Sequence, residues 1–194
     1  MLRNEPTRPI FRARYFNMQR PLLPYFVPMI GDKKSVRIAD LGSGPFPTTG
    51  QYLDGVDVKF HHSDNHDPTD FWKSVGQDPL FPIEFEDMEK LSYPDNYFDI
   101  VHCVNALDHT RNALPAVKEM IRIAKPGGWV YIVCALDQRT LQGYRHFWDM
   151  KPDGLFVGAN EQFDLKNFGF NVEYIHSSEK RPYNHVVATL KKKA

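Results

Sequence analysis

The chain is poor in cysteine: Cys103 and Cys134 are the only two in 194 residues. Two are too few for the disulfide framework of a small secreted domain. There is no excess of either charge, with 24 basic and 24 acidic side chains. A nucleic-acid surface ordinarily brings a basic balance, so the composition argues against that class of partner. No stretch approaches the roughly 20 apolar residues needed to cross a bilayer. The opening MLRNEPTRPIFRARYF has no apolar signal core. The expectation is a cytoplasmic protein of a reducing compartment, without membrane insertion. Core material is not lacking, since hydrophobic residues are 42% and aromatics 13%. A disordered chain carries less of both.

The length suits one domain preceded by an irregular segment. Residues 1–34 contain Pro6, Pro9, Pro21, Pro24 and Pro28, an excess of arginine and lysine, and interleaved aromatics. They read as a basic aromatic arm or lid, with helix limited to fragments by the prolines. Residues 35–194 read as a single domain. Strands are expected in VRIADLGSG, from about Val56 to His62, in PIEFED, from Phe98 to Val104, and in WVYIVCAL. Leu114, Val117, Ile121 and Ala124 recur at helical spacing, with Asn112 as a cap, Pro115 in the first turn and Pro126-Gly127-Gly128 as the stop. Gln162 to Asn167 is a short helix candidate. NVEYIHSS and HVVATLKK read as an antiparallel pair at the sheet edge. The alternation of strands and helices points to an α/β domain with a mostly parallel sheet.

Asp40-Leu41-Gly42-Ser43-Gly44-Pro45-Phe46-Pro47 is the most informative segment. Glycines after a buried strand let the backbone turn and approach a ligand closely. The place lies beyond the carboxyl end of a strand, where doubly wound sheets bind ligands. Gly42 and Gly44 match the first two glycines of a dinucleotide fingerprint, but Pro47 stands in the place of the third. Asp40 is unhelpful beside a diphosphate and helpful beside a cationic amino acid moiety. Asp64, past the second strand, can accept hydrogen bonds from ribose hydroxyls. Asp87, past the third, can accept from an adenine amine while the Met88 amide serves a ring nitrogen. Asp64 is preferred over Asp67 because it lies closer to the strand end.

Taken together, IADLGSGPFPTTG, EDMEKLSYPDNYFDIVHCVNALDHT and AVKEMIRIAKPGGWVYIV resemble the class I S-adenosylmethionine-dependent methyltransferases, specifically the small type 11 group. The resemblance spans about residues 36–134. It implies a Rossmann-like three-layer sandwich with a mostly parallel seven-stranded sheet in the order 3-2-1-4-5-7-6, strand 7 antiparallel. It also implies direct in-line transfer of a methyl group from S-adenosylmethionine to a small-molecule acceptor, through a nitrogen or oxygen nucleophile. Asp40, Gly42, Ser43 and Gly44 would then surround the methionine part of the cofactor. Asp64 would bind the ribose, and Asp87 and Met88 the adenine. Asn105 and Ala106 would line the sulfonium side, with Leu107 covering one face. Phe46 departs from the family's small residues, and either narrows the pocket or turns inward and packs.

Asp108-His109 follows the fourth strand, where an acceptor would meet the methyl group. A histidine of ordinary pKa near 6.5 can take a proton at neutral pH, and a nearby carboxylate raises that value. His109 and Asp108 are therefore the catalytic candidates, with Tyr144, His146 and Trp148 as further acceptor-side residues. His61, His62 and His66 with two aspartates do not make a metal site, because His61 and His62 point to opposite faces of a strand. Two rival readings remain. One is an NAD-dependent or other nucleotide-binding α/β enzyme. The other is a non-catalytic cofactor-binding or partner module with the same fold, favoured by Phe46.

Overall fold

The computed structural model describes residues 20–74, 80–142, 145–176 and 184–194. Most of the expected arm, together with Tyr144 and the turn at Pro182-Tyr183, lies outside the described residues. The described chain starts with a short helix, α1 (Phe26–Ile30), close after Pro21 and Pro24. It continues through β1 (Ser35–Leu41), β2 (Asp57–Asp64), α2 (Thr69–Ser74), β3 (Ile83–Phe85) and β4 (Phe98–Val104). Then come α3 (Ala113–Ile123), β5 (Ala124–Ala135), α4 (Gln138–Gln142) and three short strands, β6 (Asp149–Met150), β7 (Leu155–Val157) and β8 (Gln162–Asp164). Strands β9 (Asn171–Ile175) and β10 (His185–Lys191) close the fold.

The main sheet has seven strands in the order β3-β2-β1-β4-β5-β10-β9. The first five run parallel, and β10 is antiparallel to both of its neighbours. This is the sheet expected from the sequence. Strand β4 is buried along nearly its whole length, as a central parallel strand covered on both faces must be. One face carries the segment from Leu22 to Ile30, whose Phe26 and Ile30 pack on Val36, Ile38 and Ile100. The other carries α3, which buries Ala116, Val117, Met120 and Ile123 at helical spacing. Cys103 and Cys134 are free thiols in this core, and burial pushes both well up from the ordinary thiol range. No helix among the described residues is long and apolar enough to cross a membrane.

Several local expectations are corrected. Asn112 does not cap α3 with its side chain; its Nδ2 donates to Glu89 at 2.7 Å instead. The Pro126-Gly127-Gly128 stop is the irregularity where β5 leaves its pairing with Phe98 and resumes opposite Ile100. Residues 162–164 are a strand, because they pair with β7; Asp164 then caps a 3-10 turn over Leu165–Phe168 by accepting from the Lys166 amide. No α-helix follows β1. Pro45 and Pro47 each push the residue before them away from helical angles, so residues 42–56 cross to β2 as irregular chain.

Helix α3 also fixes the approach to β4. Glu119 accepts from the Leu91 amide at 2.9 Å, and Arg122 donates to the carbonyls of Leu91 and Tyr93 at 3.0 and 2.8 Å. The loop that begins at Asp87 and Met88 is thereby tied to the core. At the sheet centre, Ile100 is fully buried and packs with Phe26, Ile30, Val36 and Ile38. Ile100→Ala is expected to cost about 2–5 kcal/mol, read as a lowered urea midpoint at unchanged slope.

Candidate functional site

The carboxyl ends of β1, β2, β3 and β4 lie at one edge of the sheet, and a cleft of about 1060 Å³ opens there. Gly42, Asp64, Asp87, Met88, Asn105 and Ala106 all line it. The sequence had named each of these for the cofactor, and the fold brings them together. Gly42 has φ +67°, and a Cβ there would lie 2.3 Å from the Ala106 Cβ. Only glycine lets the turn and the exit of β4 approach so closely. Asn105 also adopts the left-handed region, at φ +50°. It is held there by its own amide, which donates to the Val133 carbonyl, and by its Oδ1, which accepts from the Ala135 amide at 3.0 Å.

Asp64 accepts from the Gly44 amide at 3.0 Å through one oxygen and from the His66 amide at 2.9 Å through the other. A carboxylate has about four acceptor positions, so two remain for a ligand. Asp87 accepts from the Glu89 amide at 2.9 Å and keeps acceptor capacity in the same way. Asp67 instead accepts from the Thr69 amide at the start of α2 and does not line the cleft. Ser43 and Gly44 shape the turn without lining the cleft. The Ser43 amide is spent on the Ser63 carbonyl at 3.0 Å, as the Gly44 amide is on Asp64. Phe46 packs edge-on against Phe71 and Trp72, away from the cleft. Leu107, expected to cover a cofactor face, is fully buried in the core.

Asp40 is placed differently from its expectation. The register sets it opposite His62 on β2 and His102 on β4, and register neighbours share a face. Each of its oxygens accepts from one histidine: His62 Nδ1 at 2.9 Å and His102 Nδ1 at 2.8 Å. With both Nδ1 atoms donating, each Nε2 is left to accept. Tyr25 donates to that of His102 at 2.8 Å, and the Gln51 amide to that of His62 at 3.2 Å. Asp40 is 4% exposed and lies beneath the turn, outside the cleft lining.

The far end of the cleft is built by residues 108–110 and 145–148. His109 lines it, with Nδ1 donating to the Arg145 carbonyl at 2.7 Å. That bond fixes the tautomer and leaves the lone pair on Nε2. Asp108 does not pair with His109. It is buried, one oxygen accepts from His146 Nδ1 at 2.6 Å, and the other has no partner. Trp148 is buried, and its indole donates to the Thr110 carbonyl, so it supports the wall rather than facing a ligand. Asp108, His109 and His146 bring ligand-capable atoms within 4.8 Å of one another, a group that could hold a metal ion. In the present geometry the proton between Asp108 and His146 already joins two of them. Phe147, in the aromatic run 144–148 that the sequence suits to an organic substrate, lines the cleft as well; the sequence reading missed Glu86, Glu89, Arg111 and Arg145, which also line it. Of these only Arg111 carried a signal, its place two residues after His109.

A parallel-centred sheet in this order, with a ligand-sized cleft at its carboxyl edge, is the fold of the class I S-adenosylmethionine-dependent methyltransferases. Residues 40–132, about half of the chain, match the family model described as "Methyltransferase domain", and the chain belongs to that family. The chain is similar to the ubiquinone/menaquinone biosynthesis C-methyltransferase UbiE of Chromobacterium violaceum, with 39% identity over 66 residues, 31% of this chain and 27% of that protein. It is also similar to the probable methyltransferase ltbC of Aspergillus luteorubrus, with 31% identity over 159 residues, 75% of this chain and 52% of that protein. The chain thus spans about a quarter to a half of these curated relatives. Among solved structures, an S-adenosylmethionine-dependent methyltransferase from Methanosarcina mazei superposes with a TM-score of 0.54 at 15% identity, covering 89% of this chain and 99% of that one.

Burial alone would push the Asp40 carboxyl up, but the hydrogen bonds from His102 and His62 outweigh it and hold the pKa at about 2 against the usual 3.8. A depressed carboxyl pKa stabilises the fold above the unfolded value, and the contribution is lost as pH falls toward the folded one. Asp40→Asn should therefore cost most stability near neutral pH. Its urea-unfolding free energy should converge on that of the unsubstituted protein between pH 4 and pH 2, within the window set by these values.

Proposed function

We propose that this protein transfers a methyl group from S-adenosylmethionine to a small-molecule acceptor, through an oxygen or nitrogen nucleophile. The observation that carries the reading is the convergence of Asp64, Asp87, Met88, Asn105 and Ala106 on one cleft at the carboxyl edge of the sheet. The donor set fits that cofactor. Asp64 keeps lone pairs for vicinal hydroxyls, Asp87 can accept from an amine, and Gly42, Met88 and Ala106 supply an apolar floor. Bound there, the cofactor supplies a methyl group already activated by a positively charged sulfur. The protein's task is then to bind, to orient the acceptor and to exclude water.

His109 is the proposed base. His109 lines the cleft, and with Nδ1 committed to the Arg145 carbonyl its Nε2 is the nitrogen left to take the acceptor's proton. Asp108 is a positioning residue in this reading: it anchors His146, and with it the loop that holds His109. The similarity to a protein named as a C-methyltransferase supports a second reading, in which the nucleophile is a carbon of the acceptor.

The dinucleotide alternative is less well supported. A diphosphate needs unspent backbone amides, usually at a helix N-terminus. Here the Ser43 and Gly44 amides are occupied, no helix follows β1, and the neighbouring lining carries Asp64, Glu86, Asp87 and Glu89. The inward packing of Phe46 also removes the main argument for a non-catalytic module.

Titration calorimetry with S-adenosylmethionine and NADH in parallel should show binding of the first alone; binding of NADH alone would reverse the assignment. Asp64→Asn should weaken S-adenosylmethionine by roughly tenfold or more, the value of one or two charge-assisted hydrogen bonds. Once a panel of phenols and amines yields turnover, His109→Ala should lower it about a hundredfold at saturating substrates. Unchanged turnover across neutral pH would remove His109 from the chemistry.

A further inference from the structure

Three side chains able to bind a metal ion meet at the far wall of the cleft. Asp108 and His109 sit in the 3-10 turn Leu107–His109 that follows β4. His146 comes from a loop 38 residues beyond Asp108, and its Nδ1 lies 2.6 Å from an Asp108 oxygen. The His109 and His146 ring centroids are 4.2 Å apart, with the planes tilted by 42°. One ligand-capable atom from each of the three residues falls within 4.8 Å of the other two. No other group of three histidine, cysteine or acidic side chains does so among the described residues. Two further bonds hold the turn to the loop: the Phe147 amide donates to the Asp108 carbonyl at 2.8 Å, and the Trp148 indole to the Thr110 carbonyl at 3.0 Å.

The Asp108 carboxylate marks this cluster for a cation. It is 2% exposed, and its second oxygen has no hydrogen-bond partner. Buried carboxylates are ordinarily paired, hydrogen-bonded at both oxygens or bound to a metal. Each histidine can supply a nitrogen. His109 spends Nδ1 on the Arg145 carbonyl, which fixes the ring and leaves the Nε2 lone pair. His146 is joined to Asp108 by one hydrogen. When that hydrogen moves to Nε2, the imidazole stays neutral and its Nδ1 lone pair faces the position the hydrogen has left. Metals take histidine in this neutral form. Ligand atoms around a tetrahedral zinc ion lie roughly 3.4 Å apart, so the Asp108–His146 pair has to open and the wider separations to close by about 1 Å.

We infer that Asp108, His109 and His146 form a site for a divalent transition-metal ion of the zinc type, reached from the cleft past His109. Two imidazoles and one carboxylate suit Zn²⁺ and Co²⁺, whereas Mg²⁺ and Ca²⁺ take sets of oxygen ligands. Three protein ligands leave the fourth position to water. The ion occupies the His109 lone pair that the proposed base needs, so a metal-loaded chain has that base switched off. This consequence rests on the methyltransferase reading above; the site itself does not.

The test uses the full chain, stripped with a chelator, then titrated with Zn²⁺ by calorimetry and with Co²⁺ by visible absorption. A single ion per chain is expected, with the intense absorption of four-coordinate cobalt, and a large excess of Mg²⁺ should not displace it. His109→Ala and His146→Ala should each weaken Zn²⁺ at least about tenfold, since even the loss of a partner behind a ligand costs that much. His66→Ala, which removes an exposed histidine elsewhere on the cleft, should leave the affinity unchanged. A second measurement needs no variant to fold. On the unsubstituted protein, Zn²⁺ should shield His109 and His146, and not His66, from diethylpyrocarbonate, read residue by residue by mass spectrometry. Absence of binding, displacement by Mg²⁺, full Zn²⁺ affinity in either of the first two variants, or no shielding of His109 and His146 overturns the site. The methyltransferase reading fails separately, if S-adenosylmethionine does not bind the stripped protein.

Discussion

The buried carboxylate of Asp40 ties together the three strands on which the site stands. It sits one residue before the end of β1, and its two oxygens reach His62 on β2 and His102 on β4. A buried carboxylate is tolerated only when it is hydrogen-bonded, and here each oxygen accepts from an imidazole N–H. The outer nitrogens are satisfied in turn by Tyr25 and Gln51, so the network reaches from the segment before β1 to the crossover after it. The ends of β1, β2 and β4 are fixed relative to one another just beneath the turn. Gly42, Asp64 and Asn105 are aimed from this platform.

What the sequence made legible follows from the range of the forces involved. Strand limits were legible because apolar runs and helical spacing report burial, which is a local property of the chain, whereas the strand order came from the family resemblance. Asp64, Asp87 and Met88 were legible because position just past a strand end is enough to place a residue at the carboxyl edge, and Asn105 and Ala106 were legible through the family resemblance. Asp40 shares that position in sequence, yet its destination was decided by two histidines 22 and 62 residues away. No pattern around Asp40 reveals them. Asp108 is the same case: its neighbour in sequence is His109, but its carboxylate meets His146, 38 residues on. Arg145 was hidden because it reaches the cleft through a loop whose path is set by tertiary hydrogen bonds.

Phe46 shows how a departure from a family pattern can be absorbed locally. The aromatic ring in the glycine turn joins Phe71 and Trp72 in a small cluster of its own. The same proline-flanked segment forms no helix, so the turn loses the helix dipole that dinucleotide sites exploit. The two features have one origin. Pro45 and Pro47 disfavour helical angles in the residues before them, and the ring of Phe46 in this bend packs on Phe71 and Trp72 of α2.

This arrangement bears on which ligand the edge can take. A doubly wound sheet offers its carboxyl edge to nucleotides of many kinds, and the fold alone does not choose between them. The choice lies in what the turn has left to give. The Ser43 and Gly44 amides are consumed by Ser63 and Asp64, so the turn has little with which to hold phosphate oxygens. Asp64, oriented by that same Gly44 amide, keeps acceptor positions that phosphate would avoid and hydroxyl groups would fill. One hydrogen bond therefore does both jobs: it withdraws an anion-binding donor and sets an acceptor in its place. A nucleoside attached to a cationic group matches that exchange, and one attached to a diphosphate does not.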